Sequence, residues 1–118
     1  MSRILVVDDD EPLRYATVKL LAGAGYDVVE AGDYRGALPI MEDGLRLDLL
    51  VIDAMLPGVN GFALARMARM KHRDIKCIYV TGFEVPASEA VGPILRKPFA
   101  DDDLLAEVAR ALTCGSPD

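Results

Sequence analysis

Nowhere in this 118-residue chain does an apolar run reach the roughly 20 residues that a membrane-spanning helix requires, although 52% of the residues are hydrophobic. The start, MSRILVVDDD, lacks the long apolar region and small-residue cleavage site of a secretory signal. Both absences point to a soluble protein of the cytoplasm, with no membrane partner. Only two cysteines are present: Cys77 sits among apolar residues and Cys114 in a polar tail. That excludes a disulfide framework or a zinc spacing and leaves a buried thiol and a tail thiol. Positive charge is short as well, with 13 Lys and Arg against 19 Asp and Glu and a net charge of -6. Such a balance opposes attraction to nucleic acid phosphates, so direct nucleic acid binding is not expected. No repeat, low-complexity stretch or linker divides the chain. It reads as one domain over 1–112 with a flexible C-terminal tail over 113–118, and its start at Met1 and short tail lean toward a free-standing protein.

What the chain does contain is an alternation of short Val, Ile and Leu runs with longer segments of helical period, the pattern of a parallel sheet covered by helices on both faces. Five strands are expected, around Ile4 to Val7, Val28 to Ala31, Leu49 to Ile52, Ile78 to Val80 and Ile94 to Arg96. Pro12 suits the first turn of a helix whose stripe is Leu13, Thr17, Leu20, Leu21 and Ala24. A second helix runs from about Tyr34 to Asp43, with Pro39 expected to kink or shorten it. Pro57-Gly58 and Asn60-Gly61 mark a loop. The following helix, roughly Phe62 to Met70, carries Phe62, Ala65, Met67 and Met70 as a stripe expected to face the core, and His72 reads as a solvated helix end. A last helix spans Asp101 to Leu112.

Ligands of open parallel α/β sheets bind beyond the carboxyl ends of the strands. Strand one delivers Asp8 and Asp9 to that edge, strand three Asp53, strand four Thr81 and strand five Lys97. Singly, each has an ordinary reading as a helix start, a turn residue, a strand residue or a surface lysine. Together, three carboxylates converging within about 4 to 6 Å repel by roughly a kcal/mol or more per pair, and need positive charge. A hard divalent cation such as Mg²⁺ or Mn²⁺ answers that need, because it takes oxygen ligands and usually shares carboxylates with phosphate oxygen. Phosphoryl transfer then needs an in-line nucleophile and cations on the phosphoryl oxygens. Asp53 is the nucleophile candidate, Lys97 the second cation, and Thr81 a hydroxyl donor to a third oxygen.

From ILVVDDDEPLR through LLVIDAMLPGVNG and YVTG to LRKPF, these residues resemble the receiver family of response regulators in two-component signalling. The resemblance implies a flavodoxin-like (CheY-like) doubly wound five-stranded parallel sheet of order 2-1-3-4-5. It implies Asp53 as phosphoacceptor, Asp8 and Asp9 as the acidic pair beside the metal, the Met55 backbone carbonyl as a further metal ligand, Thr81 and Lys97 as the hydroxyl and lysine of the site, and a cis Lys97-Pro98 bond. It further implies a phosphohistidine donor on a histidine kinase or histidine phosphotransfer protein, slow self-catalysed dephosphorylation, and a downstream protein target.

Two departures from the family pattern stand out. Only 15 residues separate Thr81 from Lys97, and Pro86, Gly92 and Pro93 leave room for about one helical turn around Ser88 to Val91, so the fourth helix is expected to be short or missing. Ile94 stands where an aromatic switch residue is usual, so ordering of the 83 to 93 loop is the expected carrier of the signal. The resemblance also implies that Met55 and Phe83, two positions after Asp53 and Thr81, flank the entry for attacking water. Two other readings compete: a phosphorylation-independent pseudo-receiver that only docks a partner, and a haloacid-dehalogenase-like phosphatase using Asp8. The second lacks its following Thr or Val, since Pro12 and Leu13 stand there, and has no room for a cap domain.

Overall fold

The computed structural model describes residues 2–85 and 87–113, with Ala87 described in its backbone alone. The elements run β1 (Arg3–Val7), α1 (Glu11–Gly23), β2 (Asp27–Ala31), α2 (Tyr34–Glu42), β3 (Leu49–Asp53), β4 (Met55–Leu56), β5 (Val59–Asn60), α3 (Gly61–Lys71), β6 (Lys76–Thr81), a 3-10 turn (Ala87–Glu89), β7 (Ile94–Arg96) and α4 (Asp101–Thr113). The main sheet has the order β2-β1-β3-β6-β7 with every pairing parallel. Setting aside the small β4–β5 pair, this is the expected 2-1-3-4-5 order.

Both faces of the sheet are covered, which is why its central strands are apolar at successive positions. Leu5, Val7, Leu50, Ile52, Cys77 and Tyr79 face α2, α3 and the segment before β7. Ile4, Val6, Leu49, Val51, Ile78 and Val80 face α1 and α4. Helices α1, α2 and α3 each start on a side-chain cap: Asp10 accepts from the Leu13 amide, Asp33 from Gly36 and Asn60 from Phe62. These bonds satisfy amides that have no partner within the helix.

Several details differ from the sequence expectations. The stretch expected as a loop after Asp53 is a two-residue hairpin, β4–β5, turning on Gly58 at φ +81. Ala24 lies beyond α1 as its exposed cap rather than in the buried stripe. In α3, Phe62 and Ala65 are buried, but Met67 and Met70 are 42% and 82% exposed. At 3.6 residues per turn, Gly61, Phe62, Ala65 and Ala68 share the inner side, and the two methionines fall on the other. His72 is half-buried: Leu47 N–H donates to its Nδ1 at 3.4 Å, leaving Nε2 to donate to the Met41 carbonyl at 2.9 Å. It ties α3 to the end of α2, because the last turn of α3 runs beside that end. The fourth helix is replaced by the 3-10 turn Ala87–Glu89, slightly earlier than expected. Helix α4 extends to Thr113, one residue past its expected end, and Pro86 and the tail from Cys114 lie outside the described residues.

Gly61 decides how closely α3 approaches the sheet edge. Its amide donates to the Ala54 carbonyl at 3.0 Å, and a Cβ there would run into the Asp53 carbonyl and come within 2.7 Å of Ala54 Cα. Neither backbone atom can yield cheaply. Gly61→Ala should therefore destabilise the fold by about 1–3 kcal/mol. Gly23→Ala, where nothing lies within 4 Å, should instead stabilise it by about 0.4–1 kcal/mol. Urea unfolding of both variants checks the pair, and equal midpoints would count against the close approach.

Candidate functional site

Strands β1, β3, β6 and β7 end side by side, and the residues that follow or close them collect at one edge. Asp8, Asp9 and Asp53 each place a carboxylate oxygen so that all three lie within 4.8 Å of one another. Asp8 and Asp53 are buried, at 3% and 6% exposure, while Asp9 is open to solvent. Lys97 reaches between the two buried members, its Nζ 2.9 Å from Asp53 Oδ2 and 3.2 Å from Asp8 Oδ2.

Backbone amides orient the buried carboxylates further. Asp53 Oδ1 accepts from the Met55 amide at 2.8 Å, and Asp8 Oδ1 accepts from the Asp10 amide at 2.9 Å. Thr81 closes β6 with its side chain fully buried, and its Oγ1 accepts from the Phe83 amide at 3.1 Å. That leaves the hydroxyl hydrogen free to donate elsewhere. Lys97 N–H donates to the Thr81 carbonyl at 2.8 Å, and the Lys97-Pro98 bond is cis. Met55 and Phe83 are exposed beside the site at 52% and 63%.

The electrostatics follow from this crowding. Burial pushes the Asp8 carboxyl above its ordinary 3.8, and the Asp10 amide and Lys97 offset that only in part. Burial works against the Lys97 ammonium, but Asp53 and Asp8 more than reverse it and hold the group above its ordinary 10.5. One lysine against three carboxylates leaves the cluster short of two positive charges. The donor set is all oxygen with no His or Cys among it, and one member faces solvent, so it suits a hard divalent cation that keeps some of its waters.

Sequence reasoning did not single out Arg14 or Gly61. Arg14 donates from Nη1 to the Asp8 carbonyl and from Nε to Glu30, both at 2.8 Å. Its only sequence signal is a cation one turn into the helix that follows the acidic pair. Gly61 was legible as a loop marker, but its contact with the Asp53 backbone depends on the hairpin. A cleft of about 380 Å³ opens next to Lys97, lined by Asp10, Leu13, Pro98 and Phe99.

Residues 4–109 match the response regulator receiver domain. The chain therefore belongs to that family of signalling domains of two-component systems. It is 36% identical over 117 residues to the sensor kinase CckA of Brucella abortus, covering 92% of this chain and 12% of that one. It is 34% identical over 118 residues to the response regulator receiver protein CpdR of the same organism, covering 95% of this chain and 98% of CpdR. The chain spans about half the length of other curated relatives it matches. Among solved structures, the response regulator protein TrrA of Thermotoga maritima, in complex with Mg²⁺-BeF, has a TM-score of 0.81 at 31% identity, over 95% of this chain and 100% of that one. The match to the receiver family at the acidic edge disfavours the dehalogenase-like reading, and both side-chain oxygens of Asp8 are engaged by Asp10 and Lys97.

Because the folded-state value of Asp8 is raised, the cation-free folded protein takes up this proton at higher pH than the unfolded chain does. Its contribution to stability thus grows as pH falls through the raised value. A divalent cation competes with that proton. Mg²⁺ affinity should therefore weaken on going from about pH 7.5 to about pH 5. Calorimetric titrations at the two values check it, and a pH-independent affinity would argue against cation binding through Asp8.

Proposed function

We propose that this receiver domain takes a phosphoryl group onto Asp53 from a phosphohistidine on a histidine kinase or histidine phosphotransfer protein. The observation that carries the reading is the charge deficit at the strand ends, where one ammonium serves three converging carboxylates. In the step, an Asp53 carboxylate oxygen attacks phosphorus, the P–N bond breaks, and the imidazole nitrogen leaves with the electron pair and takes up a proton. The product is a mixed carboxylic–phosphoric anhydride on Asp53.

Asp8, Asp9, Asp53 and the Met55 carbonyl would hold Mg²⁺ or Mn²⁺, which would supply positive charge to offset the negative charge of the phosphoryl group and the carboxylates. Lys97, already 2.9 Å from Asp53, pairs with one phosphoryl oxygen. Thr81 donates its hydroxyl hydrogen to another. Backbone support for the nucleophile comes from the Met55 amide, which fixes the carboxylate through Oδ1 while Oδ2 is held by Lys97. The cleft beside Lys97, with apolar Leu13, Pro98 and Phe99, offers the donor protein a place to bring its imidazole. Water attack on phosphorus later returns the carboxylate and inorganic phosphate. Output is a contact with a downstream protein, in the cytoplasm. The solved complex of TrrA with Mg²⁺-BeF supports the reading.

Incubation with Mg²⁺ and acetyl phosphate, followed by peptide mass analysis, should locate one phosphoryl adduct on Asp53. Asp53→Asn should abolish it, and removal of Mg²⁺ should suppress it by orders of magnitude. No adduct, or one that persists in Asp53→Asn, would favour a docking module that works without phosphorylation.

A further inference from the structure

Arg14 is only 17% exposed at its side chain and contacts none of the three clustered carboxylates at hydrogen-bond distance. Its guanidinium instead joins three pieces of chain. Nη1 donates to the Asp8 carbonyl and Nε to Glu30 Oε1, both at 2.8 Å, and Gly32 lies so close that a Cβ there would come within 3.0 Å of Nη1.

The bond to the Asp8 carbonyl matters because of the contrast between Asp8 and its neighbour. Every polar group of Asp8 is engaged: the amide by Ala31 O at 3.2 Å, the carbonyl by Arg14, Oδ1 by the Asp10 amide and Oδ2 by Lys97. The Asp9 carboxylate is exposed and has no hydrogen bond or ion pair among the described residues. Asp9 is therefore aimed at the cluster only by the backbone that leads into it, and Arg14 grips the carbonyl of that same Asp8–Asp9 peptide. The pairing with Glu30 also cancels the arginine charge, so the contact fixes geometry without setting a bare cation beside a cation site.

We propose that Arg14, steered by Glu30, is a positioning residue for the divalent cation: it locks the Asp8–Asp9 peptide so that the unsupported Asp9 carboxylate stays within reach of Asp8 and Asp53. The inference rests on the reading of this cluster as a cation site. Removing Arg14 leaves the ligands in place but lets one of them wander, as happens when outer-shell partners of metal ligands are lost.

Calorimetric Mg²⁺ titration of the whole chain tests this on wild type, Arg14→Ala, Asp9→Asn and the double variant. Arg14→Ala should bind Mg²⁺ about tenfold more weakly. On the Asp9→Asn background the same change should cost little more, since both act through one carboxylate. Raising Mg²⁺ should restore the rate of acetyl phosphate labelling in Arg14→Ala, which a general loss of structure would not permit. Wild-type affinity in Arg14→Ala, or a loss that adds in full to that of Asp9→Asn, overturns the proposal. Should Arg14→Ala not fold, Arg14→Lys keeps a cation at this position but cannot hold the Asp8 carbonyl and Glu30 at once as the guanidinium fork does, and an unchanged Mg²⁺ affinity there overturns the proposal equally. A wild-type chain that fails to bind Mg²⁺ overturns the cation site and this inference together, a result distinct from normal wild-type binding with unaffected variants.

Discussion

The ammonium of Lys97 between Asp8 and Asp53 is the contact on which the arrangement of this edge depends. It joins the segment after β7, the last strand of the sheet, to the ends of β1 and β3 near its centre. Without it, two buried carboxylates would face each other in a medium far less forgiving than water, where repulsion at such distances reaches several kcal/mol. Sheet order makes the contact possible, because β1, β3, β6 and β7 run parallel and bring their ends to one side. The same order keeps the strand bodies apolar, so polar groups can gather only where the strands stop.

The ordering of these groups is graded. Asp8 is held on all sides, Asp53 by an amide and an ammonium, and Asp9 by backbone alone. A ligand set of this kind is rigid at its buried end and adjustable at its open end. That suits an ion that must stay partly hydrated and accept a new oxygen ligand when a phosphoryl group arrives.

Much of the fold was legible because both faces of the sheet are covered: uninterrupted runs such as LLVI have few other uses in a chain of this length. The strand-end residues Asp8, Asp9, Asp53, Thr81 and Lys97 were visible for the same reason, as the first polar groups after apolar runs or close to them. The outward methionines of α3 were misjudged because Phe62, Ala65 and Ala68 fill the inner side, and a methionine reads as apolar whichever way it points. His72 was misjudged because its partners, Met41 and Leu47, are 31 and 25 residues away and offer only backbone atoms. Arg14 was missed for a related reason: its target is a carbonyl, and carbonyls leave no mark in a sequence.

Tyr79 gives the replacement of the fourth helix a mechanical meaning. Its register partner across the last strand pair is Ile94, its ring lies 4.7 Å from that of Phe62, and its hydroxyl accepts the Val91 amide at 3.2 Å. The large aromatic at this rung is thus pinned at both ends, by a neighbouring ring and by the backbone of the segment it faces. Thr81 stands two residues along the same strand, and the chain beyond it carries only the single 3-10 turn Ala87–Glu89 before the three-residue β7. Through one ring and one hydroxyl, Tyr79 therefore acts as a rivet between the helix side of the sheet and the segment that stands where a fourth helix would.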